Sequence, residues 1–399
     1  MDSSLHPLQG MYRPNALKGL YYGPEVVQKH ILSALPTEKS KAFIITGNSL
    51  ATKTPLIKGL EELLKTGNHH AGTFSNIREH APVAQLDEAT AIVKSDSTID
   101  TIISVGGGSP IDSAKAIVYR VHETASKWLV HIAIPTTLSA AECTAIAGYT
   151  QADGTKTGIA HPNTYPAYIF YDPKFALHTP PHLFLSTGLR ALDHAVESQY
   201  HPSATWVPCR IVALNSIAEL FRLLPKYKEN PQDEDVMTGL LLAAYASLGF
   251  MGGNLKDGLG LSHSLGYALG SPYGIPHGIT SCLTLGHVVK VKARQSPENA
   301  ESIAAILPYT TGHVAGGSSA AEISSTGDNL KDSDLVGDRI LQLVRDLGLK
   351  TTLTERGVGR DQLDIICARA TGGLLPQKEK SPQDEKVLEA VRGLVEKLW

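Results

Sequence analysis

The stretch at residues 101–115, TIISVGGGSPIDSAK, constrains the fold more than any other part of the sequence. The β-branched, apolar run Ile102–Val105 is typical of a buried parallel strand. Three consecutive glycines end that run, and Ser109 as a cap with Pro110 in the first turn predicts that a helix follows. Glycines let a pyrophosphate approach the backbone N–H groups, and the helix N-terminus adds partial positive charge. An ordinary tight turn is the alternative, but the glycine run favours a phosphate-binding turn.

Strand and helix patterns alternate through the N-terminal part of the chain and then give way to helical periodicity. Strand patterns end at Asp172–Pro173, and helical patterns continue from Leu185 to Val395. This order predicts an α/β domain with a doubly wound parallel sheet at residues 1–176 and an all-α helical domain at residues 177–399. The stretch 315–334, rich in small and polar residues, predicts a mobile surface insertion. The predicted strands are 41–46, 70–74, 102–105, 128–134 and 167–171, and the predicted helices between them are 55–64, 86–94 and 110–121.

Composition excludes several classes of partner. The net charge of −3, with 19% charged residues, gives no basic surface for nucleic acid, and the lysines and arginines are too scattered to favour an anionic membrane. No stretch approaches the apolar length of a membrane span, and the first residues do not resemble a signal peptide. The cysteines lie far apart without a Cys-x-x-Cys pair, which is typical of free thiols in a reducing cytosol. We therefore expect a cytoplasmic protein that acts on a small molecule, with free thiols at Cys143, Cys209, Cys282 and Cys367.

A group of polar residues in the helical half predicts a reactive site. One helix carries an arginine, two histidines and a glutamate at i, i+4, i+7 and i+11 spacing, so these side chains share a face. Two further histidines flank a glycine- and proline-rich interruption downstream. A single histidine on a helix is usually a packed or exposed residue without function, but this combination favours a functional cleft. The residues are Arg190, His194, Glu197, His201, His263 and His277.

Five short motifs occur in order along the chain: GGGSPIDSAK at 106–115, PTT at 135–137, HAVE at 194–197, HSLG at 263–266 and PHG at 276–278. With these motifs the chain resembles the iron-containing alcohol dehydrogenases, which have the dehydroquinate synthase-like fold. The resemblance extends over residues 15–395 and implies an NAD(P)H-binding N-terminal domain, a helical C-terminal domain and hydride transfer to a carbonyl in a cleft between them. A shorter gap before Glu142 and the pair Thr157-Gly158 are closer to the maleylacetate reductase branch.

The resemblance also implies a metal held by one aspartate and three histidines, but two of those four positions have changed. The family's ligand positions fall on Arg190, His194, Leu259 and His277. Arginine stays protonated and leucine has no donor atom, so neither binds a cation. Two imidazoles are too few for a tight iron or zinc site, and Asp193 lies about 100° around the helix from His194. We therefore expect no catalytic metal.

These departures predict a metal-independent NAD(P)H reductase. Arg190 would place a fixed positive charge near the family's metal position, where it could stabilise an alkoxide or hold a carboxylate. His263 corresponds to the family's metal-free active-site histidine and is the candidate proton donor. His194 and His277, released from the metal, would contact substrate or relay protons.

Three other interpretations stay open. Arg190 could instead form a structural ion pair with Glu197 or Asp193. The same cleft could serve a non-redox acid–base enzyme, such as a cyclase, dehydratase or isomerase, because the related dehydroquinate synthases combine redox chemistry with elimination and ring closure. A ligand-binding pseudoenzyme that lost its chemistry with the metal is the third hypothesis.

The resemblance and the sequence together predict how nucleotide and substrate bind. NAD-preferring relatives often carry an aspartate at the position of Gly47, where a carboxylate binds the ribose 2′-hydroxyl and repels a 2′-phosphate. We therefore expect NADPH to be accepted, with NADH as the other candidate, and a homodimer as one candidate assembly. The residues expected along the nucleotide are Gly47, Gly106, Gly107, Gly108, Ser109, Asp112, Thr136, Thr137 and Lys156. Those expected near a ring-derived or polyketide-like carbonyl substrate are Tyr149, Tyr200, His201, Tyr267 and Tyr273.

Overall fold

Two compact units make up the chain. The structure is a computed structural model that describes residues 11–153, 155–254, 258–311, 325–372 and 382–399, with only the backbone for Lys156 and residues 382–384. An α/β unit contains Arg13–Pro181 and Asn230–Tyr245, and a helical unit contains His182–Glu229 and Ala246–Trp399. Residues 230–245 therefore group with the α/β unit, which the sequence patterns did not indicate. The boundary between residues 176 and 177 stays a prediction.

The strands of the described residues all lie in the α/β unit. They are β1 (Gly19–Tyr22), β2 (Lys41–Thr46), β3 (His70–Phe74), β4 (Ile99–Gly106), β5 (Val130–Pro135), β6 (Ile146–Thr150), β7 (Lys156–Ala160) and β8 (Tyr168–Tyr171). Six of them form a parallel sheet in the order β1-β8-β5-β4-β2-β3, and β6 pairs with β7 in an antiparallel hairpin. The predicted parallel sheet is confirmed, whereas β1 and the β6–β7 hairpin were not predicted.

The strand order reverses between β2 and β4. From β2 the chain continues to β3 at one edge of the sheet, whereas from β4 it continues to β5 on the other side. Thr46 at the end of β2 pairs with Val105 of β4, and Gly106 pairs with Pro135 at the end of β5. The loops after these three strands therefore begin at one edge, beside the reversal, where open parallel sheets bind ligands.

Burial on both faces explains why β4 is rich in isoleucine and valine. Ile103 and Val105 pack into an apolar core on one face of the sheet, and Ile102 packs into a second core on the other face. All three side chains are fully buried. Alternate residues of a strand point to opposite faces, so a strand covered on both sides has no polar face.

The α-helices occupy both units. In chain order they are α1 (Val26–His30), α2 (Asn48–Lys53), α3 (Leu56–Thr66), α4 (Val83–Ser95), α5 (Gly108–Ala125), α6 (Pro173–Ala176), α7 (Pro181–Tyr200), α8 (Ile211–Glu229), α9 (Glu234–Leu248), α10 (Leu261–Tyr273), α11 (His277–Ala293), α12 (Pro297–Ala304), α13 (Asn329–Asp346), α14 (Leu363–Ala370) and α15 (Pro382–Val395). The predicted helical C-terminal part is confirmed.

Helix α7 is buried along most of its length. Every side chain from Phe184 to Gln199 is buried, including those of its charged residues. Buried polar groups need hydrogen-bond or charge partners within the protein. The polar residues of α7 therefore depend on side chains that α10 and α11 bring to them.

One segment is long and apolar enough to cross a membrane by length and composition, Glu234–Asn254, and it includes α9. The sequence analysis expected no such stretch, and this expectation was wrong in the narrow sense of length and hydropathy. More than half of the segment is buried inside the protein. A core helix has the same composition, because it also faces apolar side chains on all sides.

The predicted surface insertion at 315–334 was wrong from Asn329 onward. Residues 315–324 lie outside the described residues. From Asn329 onward the segment is the beginning of α13, and the carboxylate of Asp328 accepts hydrogen bonds from the N–H groups of Leu330 and Lys331. An aspartate in this position is a strong helix start signal, and the abundance of small residues around it concealed the helix.

Candidate active site

The glycine turn after β4 is built for close approach to the backbone. Gly106 has a φ of 140°, which favours glycine, and a Cβ on it would lie 2.9 Å from Cγ of Pro110. A Cβ on Gly107 would lie 3.1 Å from Cγ2 of Thr137. Gly107 is the N-cap of α5, so the prediction that Ser109 caps this helix was wrong. The turn offers uncapped N–H groups to an anion, since no side chain satisfies them.

Residues from three loops join this turn at the same edge of the sheet. We call this set the switch-point edge: Gly47 after β2, Gly106–Gly108 after β4, and Thr136–Thr137 after β5. Thr136 donates its N–H to the carbonyl of Gly106 at 3.0 Å, and both threonines are buried. Five of the nine residues predicted along the nucleotide thus end or directly follow neighbouring strands at this edge, and Gly108 begins α5.

The other predicted nucleotide residues have different surroundings. Asp112 accepts a hydrogen bond from the N–H of Gly148 at 3.1 Å and lies 3.5 Å from Nζ of Lys115. Lys115 is fully buried and also donates to the carbonyls of Ala141 and Ile146. Asp112 therefore fastens the β6–β7 hairpin to α5. Ser109 is half-buried in the first turn of α5, and the side chain of Lys156 lies outside the described residues.

A cluster of buried charges forms the centre of the helical unit. We call it the acid–base cluster: Arg190, Asp193 and Glu197 of α7 with His263 of α10. Nδ1 of His263 donates to Oε2 of Glu197 at 2.7 Å and lies 3.5 Å from Oδ1 of Asp193. Both carboxylates are fully buried, and His263 is 3% exposed. Burial and Arg190 lower the pKa of His263, but the two carboxylates outweigh them and raise it above its ordinary value.

Arg190 lies against the carboxylate of Asp193 in this cluster. Its Nη1 is 3.5 Å from Oδ2 of Asp193 and donates to Oγ of Ser281 at 3.4 Å. Burial raises the pKa of Asp193, but His263 and Arg190 outweigh burial and hold that pKa below its ordinary value. The ion pair with Asp193 that the sequence left open is therefore present. A loose contact of this length leaves guanidinium N–H groups for another acceptor, since arginine has five donors.

His194 contacts the acid–base cluster, whereas the ring of His277 packs against α10. The rings of His194 and His263 lie 4.9 Å apart, and burial, with the charges of His263 and Arg190, lowers the pKa of His194 well below its ordinary value. His194 is therefore a neutral imidazole. His277 begins α11, half-buried, with the ring of Tyr267 edge-on to it at 5.9 Å.

The residues at the family's metal positions do not fit a metal. Arg190 and Leu259 offer no ligand atom, as the sequence indicated. Among the described residues, the one set of three ligand types whose atoms lie within 4.8 Å of one another is Asp193, Glu197 and His263. Nδ1 of His263 already bonds to Glu197, and Arg190 faces the carboxylate of Asp193. Arg190 is a fixed cation beside that carboxylate, so it would repel a metal ion placed among these ligand atoms.

Two of the predicted substrate residues line a pocket of the helical unit, and three do not. A pocket of about 160 Å³ opens beside Glu197 and is lined by Tyr200 and His201, among others. His201 is held by the carbonyl of Gly258 and the N–H of Ser203. The remaining three are elsewhere: Tyr149 lies in the β6–β7 hairpin under the guanidinium of Arg120, Tyr267 is 53% exposed, and Tyr273 donates to Gln362.

The sequence analysis missed the partners of the carboxylates. Oδ2 of Asp193 accepts hydrogen bonds from Ser262 at 2.8 Å and Ser281 at 2.6 Å, and Oε1 of Glu197 accepts from the N–H of Ser262 at 2.8 Å. The sequence placed Glu197 on the reactive face but offered it only as a possible ion-pair partner of Arg190, not as a partner of His263. The position of Ser262 directly before His263 was the one feature that could have indicated these bonds. That position does not reveal which helix packs against Ser262.

Comparison with known proteins agrees with this architecture. A family model described as "Iron-containing alcohol dehydrogenase" matches residues 19–173, and one described as "Fe-containing alcohol dehydrogenase family, C-terminal" matches residues 184–394. The fold and these matches define an NAD(P)-dependent oxidoreductase. The chain belongs to the iron-containing alcohol dehydrogenase family, as its motifs predicted.

Individual relatives locate the chain within that family. Maleylacetate reductase from Rhizobium sp. (strain MTP-10005) is 28% identical over 330 residues, which are 81% of this chain and 82% of the relative. The crystal structure of the maleylacetate reductase from that strain has a TM-score of 0.75 at 23% identity and covers 99% of each chain. An archaeal halo-thermophilic Red Sea brine pool alcohol dehydrogenase has a TM-score of 0.82 at 18% identity, covering 98% of this chain and 99% of that one. The chain lies near the maleylacetate reductase branch, which confirms the prediction from sequence.

Proposed function

We propose that this protein reduces a carbonyl compound with NADPH or NADH and that it does so without a catalytic metal. The observation that carries the proposal is the buried guanidinium of Arg190, which replaces a metal ligand of the family and lies in one cluster with His263. A fixed cation can stabilise a developing alkoxide as a metal ion would. The related reductases favour this redox function over the cyclase, dehydratase or isomerase alternative.

Each side chain of the acid–base cluster has a defined role in this proposal. When bound, the nicotinamide supplies a hydride to the carbonyl carbon. Arg190 stabilises the negative charge that collects on the carbonyl oxygen, and His263 donates the proton of Nε2 to give the alcohol. We assign His194 and His277 to contacts with the substrate, since the ring of His194 lies 4.9 Å from that of His263 and His277 is half-buried at the start of α11.

The substrate class follows from the same residues. A buried guanidinium binds planar anions in a bidentate manner, so we propose a keto compound with a carboxylate or enolate near the reacting carbonyl. Curated relatives are named for the reduction of maleylacetate, which supports this class. Ring-derived and polyketide-like keto acids belong to it, and Tyr200 and His201 would line their binding site.

Location and assembly are part of the proposal. All four cysteines are buried and free, which supports a cytoplasmic protein. We propose that it acts as a homodimer on a small-molecule substrate, without a nucleic acid or membrane partner. The net charge of −3 supports this restriction, since nucleic acid binding needs a basic surface.

Activity should be present without added metal and should survive chelation. Purified protein, NADPH and a panel of keto acids and simple ketones should give a fall in NADPH absorbance and an alcohol product in mass spectrometry. Prolonged EDTA treatment should leave kcat within about twofold, because Arg190 supplies the charge. Stoichiometric iron or zinc with activity lost on chelation would contradict the metal-free proposal, and no turnover with any carbonyl would contradict the reductase.

NADPH should be used at least as well as NADH. Gly47 has an extended backbone that any residue adopts, and it presents no carboxylate to a 2′-phosphate. Gly47→Asp should therefore raise the KM for NADPH about tenfold and improve NADH relative to it. Gly47→Ala is the matched control, because a Cβ there meets the carbonyl oxygen of Ile77 at 3.3 Å whatever its charge. Wild-type preference for NADH by more than about tenfold would contradict the prediction.

A further inference from the structure

Two buried carboxylates of the acid–base cluster have no role in the proposed reaction. Asp193 and Glu197 are both fully buried, and burying an anion is costly unless charges and hydrogen bonds compensate for it. We propose that Glu197 and Asp193 are positioning residues that hold His263 as an imidazolium, with Nε2 as its one ring nitrogen available to substrate. This inference rests on the proposed function, because it concerns the proton donor named there.

Glu197 fixes which ring nitrogen faces the substrate. Oε2 accepts from Nδ1 of His263 at 2.7 Å, and a carboxylate only accepts, so Nδ1 carries a proton. Oε1 is held by the N–H of Ser262 at 2.8 Å and by the hydroxyl of Tyr200 at 3.3 Å, which stops the carboxylate from rotating. Nε2 of His263 is buried without a hydrogen-bond partner among the described residues. The ring therefore has one occupied and one available nitrogen.

Gly260 makes room for this carboxylate. A Cβ on Gly260 would lie 2.6 Å from Oε1 of Glu197, closer than real Cβ contacts allow. The lack of a side chain at Gly260 therefore leaves the space that Oε1 of Glu197 occupies. An alanine at this position would displace Glu197 while leaving every charge of the cluster unchanged.

Asp193 lets two cations exist side by side. Its Oδ2 lies 3.5 Å from Nη1 of Arg190, and its Oδ1 lies 3.5 Å from Nδ1 of His263. Hydroxyls of Ser262 and Ser281 hold Oδ2 in place from two different helices. Without this shared anion, Arg190 would oppose the protonation of His263, as its effect on the pKa of that ring shows. Asp193 thus couples the fixed cation to the proton donor.

The pH profile of turnover tests the charge that Glu197 supplies. His263 donates only when protonated, and the carboxylates raise its pKa, so turnover should be present at low pH and lost as pH rises through that pKa. Glu197→Gln and Asp193→Asn should each move this alkaline limb about one pH unit or more toward acid and lower kcat about tenfold at neutral pH. The KM for NADPH should stay within about twofold.

Two further variants distinguish a loss of the position of Glu197 from a general disturbance of the fold around α7. Gly260→Ala should lower kcat in the same way as Glu197→Gln, because the displaced carboxylate loses its bond to Nδ1. Ser198→Ala is the matched control on α7, since among the described residues its hydroxyl donates to the carbonyl of His194 and to no cluster side chain. Its alkaline limb should match that of the wild type. If the carboxylate variants lower kcat at every pH without moving the limb, the inference is wrong.

A measurement that needs no turnover tests the protonation of His263 separately from the proposed reductase activity. Nitrogen NMR of ¹⁵N-histidine protein, with His263 assigned by its loss in His263→Asn, reports the protonation of each ring nitrogen without any turnover. We expect Nδ1 protonated throughout and a pKa of His263 that falls in Glu197→Gln. If the NMR result is as expected but the protein reduces no carbonyl compound, the proposed function is wrong and the inference about His263 is still supported. An unprotonated Nδ1, or an unchanged pKa in the variant, would overturn the inference even if the protein is a reductase.

Discussion

Arg190→Ala should lower kcat about 10²–10³-fold, the loss typical of removing one donor that stabilises a developing oxyanion. The guanidinium is buried, contacts Asp193 and Ser281 loosely, and stands where the family has a metal ligand. Water entering the space left by alanine would stabilise the alkoxide less well than a fixed cation. Initial rates with NADPH and a keto acid at saturating concentrations measure the change.

Two further variants at the same position show whether the loss of kcat comes from the loss of charge or of side-chain volume. Arg190→Lys should restore part of the activity, because the ammonium keeps the charge but loses the planar fork of donors. Arg190→Met keeps much of the side-chain volume without charge, and its kcat should match that of Arg190→Ala. If Arg190 were only an ion pair for Asp193, the alanine variant would have a lower melting temperature and nearly normal kcat in the protein that remains folded. That outcome would remove Arg190 from the mechanism.

The parallel sheet could be predicted because its strands are buried on both faces. Mostly apolar runs such as Ala42–Ile45 and Ile102–Val105 have few alternatives in a chain of this composition. The β6–β7 hairpin escaped prediction because it is a two-stranded ribbon with one glycine facing another, Gly148 opposite Gly158, and no apolar alternation. Residues 230–245 join the α/β unit through tertiary packing, which periodicity along the chain does not reveal.

The sequence predicted most of the residues of the candidate site but not the contacts that they make with one another. Arg190 and His194 follow from their i, i+4 spacing on one helix face, and His263 follows from the HSLG motif at 263–266. Asp193 was set aside because it lies off the face of His194. In the folded chain it is fully buried and bonds to Ser262 and Ser281, which other helices bring to it. The side of a helix that faces a site is decided by its neighbours, and the sequence of one helix does not contain them.

Gly107→Val should abolish measurable nucleotide binding, with an increase of Kd on the order of 100-fold or more. A Cβ at this position already meets Cγ2 of Thr137 at 3.1 Å and its Oγ1 at 3.2 Å. The two further methyl groups of valine would either displace Thr137 or cover the N–H groups at the start of α5, where a pyrophosphate would bind. Titration of the protein with NADPH, followed by its fluorescence, measures Kd.

The control for Gly107→Val is a glycine-to-valine substitution at a position where an added Cβ meets no neighbouring atom. Gly59 lies in α3 of the same unit with nothing within 4 Å of its added Cβ, so Gly59→Val should bind NADPH with a Kd within about threefold of the wild type. Both variants should keep the unfolding transition of the helical unit, since its core contains neither glycine. A Gly107→Val protein that binds NADPH as the control does would show that the phosphate groups approach the chain elsewhere. The glycine run would then be no more than a tight turn between β4 and α5.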